Sequence, residues 1–152
     1  MPFNNLLVAV DGSEHSYRAC DLAGDLAAHY SSSVTVLHVI HGPTGSLPAG
    51  ISEYERLEHV HVSERDILEA AGQRILAIAE QRLRDAGAKD VKALLETGHP
   101  AEFIIEYSRD RLFPGDAIIM GRRGLGDLAA LFLGSVSHRV AHRADSTVIT
   151  VE

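Results

Sequence analysis

Short apolar runs and longer segments of helical period alternate along this chain. Leu6 to Val10, Val34 to Ile40, Val91 to Leu95, Ala117 to Met120 and Thr147 to Val151 are runs of strand length, the pattern of strands buried on both faces. Between them lie four segments with helical spacing. Ala19, Leu22, Ala23, Leu26, Ala27 and Tyr30 fall on one stripe, with Ser13 placed to cap its start. Ser63, Glu64, Arg65 and Asp66 read as a capping box, followed by Ile67, Leu68, Ala71, Ile75, Ala79 and Leu83, and Gly87 stops the pattern. Pro100 suits a first helical position ahead of Ile104, Ile105 and Tyr107, and a fourth helix runs from Ser135 through Val136, Val140 and Ala141.

Alternation of this kind implies parallel strands joined by right-handed crossovers, hence a doubly wound open α/β sheet covered on both faces. The 152 residues make one domain, residues 1–152. Residues 41–62 are the exception to the pattern, a long connection with a Gly/Pro-rich first half, expected to be a mobile loop.

Composition narrows the partners. The formal charge is −7 with no basic run, which argues against a nucleic-acid or anionic-membrane surface and points to small molecules or proteins. Cys20 is the single cysteine, so there is neither a disulfide framework nor a cysteine zinc site, as suits the cytoplasm. No charged leader precedes an apolar run, and no stretch reaches the ~20 apolar residues of a membrane span.

The chemistry gathers in one region. Gly121-Arg122-Arg123-Gly124, a nine-residue spacer and Gly134-Ser135 follow a strand and open a helix. Glycines let backbone approach a ligand, and a Gly-Ser helix start presents N–H groups and a positive dipole end to an anion. This reads as a phosphate cradle, but it is neither a P-loop nor a Gly-x-Gly-x-x-Gly fingerprint. Metal chemistry is weaker. His38/His41 and His59/His61 are close pairs and His138/His142 lie one helical turn apart, yet no His-Glu-x-x-His arrangement and no nearby cysteine supports a zinc site. No Gly-x-Ser-x-Gly elbow marks a nucleophile. His99, beside Pro100, stands where it could reach the rim of a crevice or cap a helix.

The pattern G-x2-G-x9-G-[ST], with Val8-Ala9-Val10-Asp11-Gly12-Ser13, Leu37-His38-Val39, Thr97-Gly98-His99-Pro100-Ala101 and Ile118-Ile119-Met120-Gly121, resembles the ATP-binding type of the universal stress protein family over essentially the whole chain. That resemblance implies an adenine nucleotide alpha hydrolase-like sheet of five strands in the order 3-2-1-4-5, with Asp11 and Gly121 at one crevice. It implies ATP, with Mg²⁺, held by Val10, Asp11, Val39, Met120, Gly121, Gly124, Gly134, Ser135, Val136 and Ser137, the Val39 backbone meeting the adenine. Asp11-Gly12 is also an ordinary turn after a strand, and Val39 also a core valine. The chain departs from many relatives at Asp145-Ser146-Thr147, where they carry a proline before the last strand.

The expectation is a cytoplasmic, nucleotide-dependent stress-response switch with at most slow hydrolysis, since no lysine lies in the phosphate loop. Its partners are an adenine nucleotide, a second copy paired through Thr147–Val151, and a downstream protein. The alternative is a homodimeric interaction module to which nucleotide is incidental; a nucleotide-dependent transferase would need an acceptor site that the sequence does not display.

Overall fold

The computed structural model describes residues 2–42, 63–122 and 134–152. Residues 43–62, the greater part of the long connection, and Arg123 and Gly124 of the glycine motif lie outside them. Among the described residues nine elements follow one another: β1 (Asn5–Ala9), α1 (Glu14–Tyr30), β2 (Ser33–His41), α2 (Glu64–Asp85), β3 (Asp90–Gly98), α3 (Pro100–Arg111), β4 (Ala117–Gly121), α4 (Ser135–Arg143) and β5 (Thr147–Val151). The strands form one parallel sheet in the order β3-β2-β1-β4-β5. The expected doubly wound α/β fold is therefore present, with the implied order.

Period-two alternation divides the sheet's side chains between two cores. Leu6, Val8, Val34, Val36 and Ile119 pack with Ala19, Cys20 and Ala23 of α1 and Leu76, Ala79 and Leu83 of α2. Leu7, Leu37, Val39, Ile118 and Met120 pack with Ile104 and Ile105 of α3 and Val140 of α4. Strands buried on both faces need apolar residues at consecutive positions, which is why these runs do not alternate with polar residues.

Helix starts follow their caps. The Ser13 hydroxyl accepts from the Ser16 N–H at 3.2 Å. Ser63 and Asp66 make the reciprocal capping box at the head of α2. Gly87, at φ +116°, takes the left-handed conformation that stops α2. Details differ from the sequence pattern. The buried stripe of α2 runs through Gly72, Leu76, Ala79 and Leu83, leaving Ile67 exposed, because a helix lying against a twisted sheet turns a narrower face inward than its apolar residues span. Strand β3 is longer than its apolar run, since it pairs with β2 along the full stretch from Ser33↔Asp90 to His41↔Gly98.

A buried carboxylate ties the two central strands together below the site. Asp116, 2% exposed, accepts from the Asn5 N–H at 2.8 Å, the Asn5 side-chain amide at 3.0 Å and the Phe113 N–H at 2.9 Å.

Candidate functional site

In a parallel sheet all carboxyl ends lie along one edge, and the crevice opens where neighbouring crossovers depart to opposite faces. Here that point is between β1 and β4: β1 leads into α1 on one face, and β4 leads towards α4 on the other. Registers Ala9↔Leu37 and Ala9↔Met120 place Leu37, Ala9 and Met120 in one row across the sheet's end. Ala9 was not among the sequence-predicted site residues. It is partly exposed although its strand is the middle one, so the sheet is open above it on the α3/α4 face. A small residue closing an otherwise bulky central run was the available signal.

Just past this row the chain leaves β1. Val10 donates its N–H to the Leu37 carbonyl at 2.9 Å, and its carbonyl accepts from the His38 ring Nδ1 at 2.8 Å. The Leu37 carbonyl thus faces β1. Backbone groups of residues two apart in a strand point to the same side, so the Val39 N–H and carbonyl also face β1's side, at a level where β1 has ended. Val39's side chain is core, 8% exposed, while its peptide edge faces the crevice. Val39 is thus a core valine whose peptide edge lies beyond the last paired position of β1 and β2.

Asp11 follows. Its Oδ1 accepts from the Ser13 N–H at 2.9 Å, an Asx turn, and its own N–H reaches the Ser16 hydroxyl at 3.4 Å. Gly12, at φ +89°, completes the turn into α1. The turn reading of Asp11 is therefore real, and the same turn delivers the residue to the carboxyl edge of β1.

Gly121 serves the fold as well as any ligand. A Cβ there would stand 2.7 Å from the Ser16 N and 2.8 Å from the His15 carbonyl carbon, so a side chain would collide with the first turn of α1. His15 brings a further peculiarity: its buried ring Nδ1 has no hydrogen-bond partner among the described residues.

The two flanks of residues 123–133 are pinned together. The Arg122 carbonyl accepts from the Gly134 N–H at 2.6 Å and from the Ser137 hydroxyl at 2.8 Å, and the Arg122 N–H donates to Val151. Gly134 is the N-cap of α4 and supplies no side-chain cap. The first helical bond is from His138 to the Gly134 carbonyl, so Ser135, Val136 and Ser137 present N–H groups that the helix leaves unused. The first turns of α1, α2 and α3 carry Glu14, Glu64 with Asp66, and Glu102, whereas that of α4 carries no acidic residue. Its positive end is accordingly not neutralised from within its own turn.

The structure thus brings Val10, Asp11, Val39, Met120, Gly121 and Gly134–Ser137 to one edge of the sheet, and Gly124 lies outside the described residues. His99 is the N-cap of α3 without a side-chain capping bond, its ring edge-to-face with His41 at 5.7 Å. His138 and His142 stack at 5.5 Å on α4, and among the described residues no group of three or more metal-ligating side chains occurs. No helix among them is long and apolar enough to cross a membrane.

A doubly wound five-stranded α/β protein with an uncapped helix start at its switch point is the class defined by this geometry. The sequence matches the universal stress protein family over residues 2–152, and the chain belongs to that family. It is 31% identical over 151 residues to universal stress protein YxiE of Bacillus subtilis, covering 98% of this chain and 99% of that one. It is 32% identical over 153 residues to a universal stress protein of Thermus aquaticus, covering 98% of each. Among solved structures it is similar to a universal stress protein in complex with cAMP, with 25% identity, a TM-score of 0.71 and coverage of 100% and 99%.

Proposed function

We propose that this chain is a cytoplasmic universal stress protein that binds an adenine nucleotide, ATP with Mg²⁺, in the crevice between β1 and β4 and works as a nucleotide-dependent switch in stress response. The observation that carries this reading is the convergence of three things on one edge: the outward-facing Val39 peptide, the Asp11 turn, and the N–H groups of Ser135–Ser137, whose own helical turn carries no acidic residue. A flat base with donor and acceptor edges suits the first, a ribose the second, and phosphates the third. The cAMP complex of a relative supports an adenine ligand. The residues of the crevice fit such a group. Among the described residues no cluster of three or more metal-ligating side chains occurs, so in this reading Mg²⁺ would be held chiefly by phosphate oxygens.

Efficient hydrolysis is not what these residues equip. Both lysines, Lys89 and Lys92, lie at the amino-terminal end of β3, the opposite edge of the sheet from the crevice. Phosphoryl transfer relies on cationic stabilisation and an oriented nucleophile, so bound ATP serves as a signal read by a partner protein, with slow hydrolysis at most.

A homodimer through β5 accompanies this reading. β5 is a sheet edge whose Thr147-Val148-Ile149-Thr150-Val151 carries no charge, while the other edge, β3, carries Asp90, Lys92 and Glu96. Charges blunt an edge against pairing, and only β3 is so protected.

Calorimetric titration with Mg·ATP tests the site. Asp11→Ala is expected to weaken binding by about 1–3 kcal/mol, and Gly134→Val to abolish it by obstructing the N–H groups of α4. A folded Gly134→Val that binds as tightly as wild type would overturn the assignment, and a wild type that binds no adenine nucleotide would return the chain to the interaction-module alternative.

A further inference from the structure

The geometry points to His38 as the positioning residue that ends the β1–β2 ladder and so leaves the Val39 peptide edge open to a ligand. Its binding consequence rests on the nucleotide reading above; its mechanics rest on contacts independent of any ligand.

Parallel pairing between β1 and β2 ends at Ala9↔Leu37, although β2 runs on to His41. The last bond of the series is from the Val10 N–H to the Leu37 carbonyl. In a continued ladder the next would run from the Val39 N–H to the Val10 carbonyl. That rung is not formed, and the His38 Nδ1 lies 2.8 Å from the Val10 carbonyl in its stead. A carbonyl only accepts, so His38 carries a proton on Nδ1 and donates. The imidazole substitutes for the Val39 amide, Val10 stays anchored at both its N–H and its carbonyl, and the chain is free to turn at Asp11.

The ring has a place made for it. His38 projects to the α1/α2 face, against α2 at Gly72, where a Cβ would stand 3.1 Å from the His38 Cδ2 and 2.7 Å from a Leu95 methyl. Glycine at that turn of α2 lets the imidazole lie flat enough to reach back to β1. The contact chain Gly72, His38, Val10, Asp11 therefore links the interior of α2 to the crevice.

Two substitutions separate the donor from the bulk. Asparagine places an N–H donor at the same side-chain position as Nδ1, and leucine has the same branching with none. In His38→Leu the Val10 carbonyl becomes available to the Val39 amide. Hydrogen exchange at Val39, followed by NMR, is expected to slow at least tenfold, while Mg·ATP affinity falls about five- to tenfold, the loss of one hydrogen bond's worth. His38→Asn should retain wild-type values of both. General destabilisation would quicken exchange, so slowing at Val39 is a readout that loss of packing does not imitate. Unchanged Val39 exchange in His38→Leu, or equal loss of affinity in both variants, would overturn the proposal. If wild type binds no nucleotide, the functional reading fails while the exchange result still decides the role of His38. If neither variant folds, the ¹⁵N shifts of the wild-type ring decide it: a neutral His38 protonated on Nε2 instead of Nδ1 would overturn it.

Discussion

Gly121 shows how one residue answers to two demands. Its place in the glycine motif suggests room for a ligand, yet the space beside it is filled by the first turn of α1, with backbone atoms under 3 Å from a virtual Cβ. Backbone cannot rotate aside as a side-chain tip can, so Gly121→Ala is expected to destabilise the fold by about 1–3 kcal/mol, the usual cost of overpacking. Urea denaturation without nucleotide measures it; an unchanged midpoint would show that α1 yields easily. Cys20 presents the opposite case, a residue with chemistry it does not use. It is 0% exposed, and burial, with a smaller contribution from Asp21, pushes its thiol up from 9.0 to about 12. The folded protein is expected to react with a thiol reagent at pH 8 only as fast as it opens, and the urea-unfolded chain at once. Because the folded value is raised, this group's contribution to stability is intact below about pH 9 and is lost as pH climbs towards 12. Rapid labelling of native protein would contradict the burial.

Between elements, polar staples hold what apolar packing alone would let slide. Arg82 of α2 meets Asp21 of α1 in a bidentate pair, Nε to Oδ1 at 2.7 Å and an Nη to Oδ2 at 2.5 Å, with Glu14 at 3.4 Å. That hydrogen bond to Asp21 is the first cause raising the Arg82 guanidinium pKa, and it fixes the two helices on one face of the sheet. Asp116 does the equivalent work for β1 and β4. Three N–H groups converge on its buried carboxylate, and two of them, the Asn5 and Phe113 amides, are backbone donors. Asp116→Ala is expected to cost about 2–3 kcal/mol, read as a lower denaturation midpoint, with nucleotide affinity unchanged, since the staple sits at the opposite end of the strands from the crevice. A variant as stable as wild type would mean that water replaces the carboxylate.

At the scale of the molecule, the two sheet edges are unequal. β3 is long and charged on its outward positions, whereas β5 is short, β-branched and uncharged from Thr147 to Val151. A two-fold pairing of β5 with its copy would satisfy both exposed rows of N–H and C=O groups. Ile149→Lys should shift the protein towards monomer. Light scattering of wild type near the mass of one 16.4 kDa chain would remove the dimer, and a variant that stays dimeric would move the interface elsewhere.

Local chemistry was legible along the chain because it acts over three or four residues. The Ser13 and Ser63 caps, the stop at Gly87, Pro100 at the head of α3 and the five apolar runs all follow from propensity and period, and each recurs in the fold. The strand order was legible only through likeness to a family, since periodicity carries no information about which strands lie side by side. Tertiary structure alone decided the rest. It exposed Ile67 despite its place in the apolar period, because docking selects one narrow face of α2. It set Gly121 against α1, brought Ala9 to the floor of the opening, and gave the Val10 carbonyl to His38, a residue 28 positions away. Contacts at that separation depend on how whole elements pack, and packing is a property of the folded chain that no window of sequence contains.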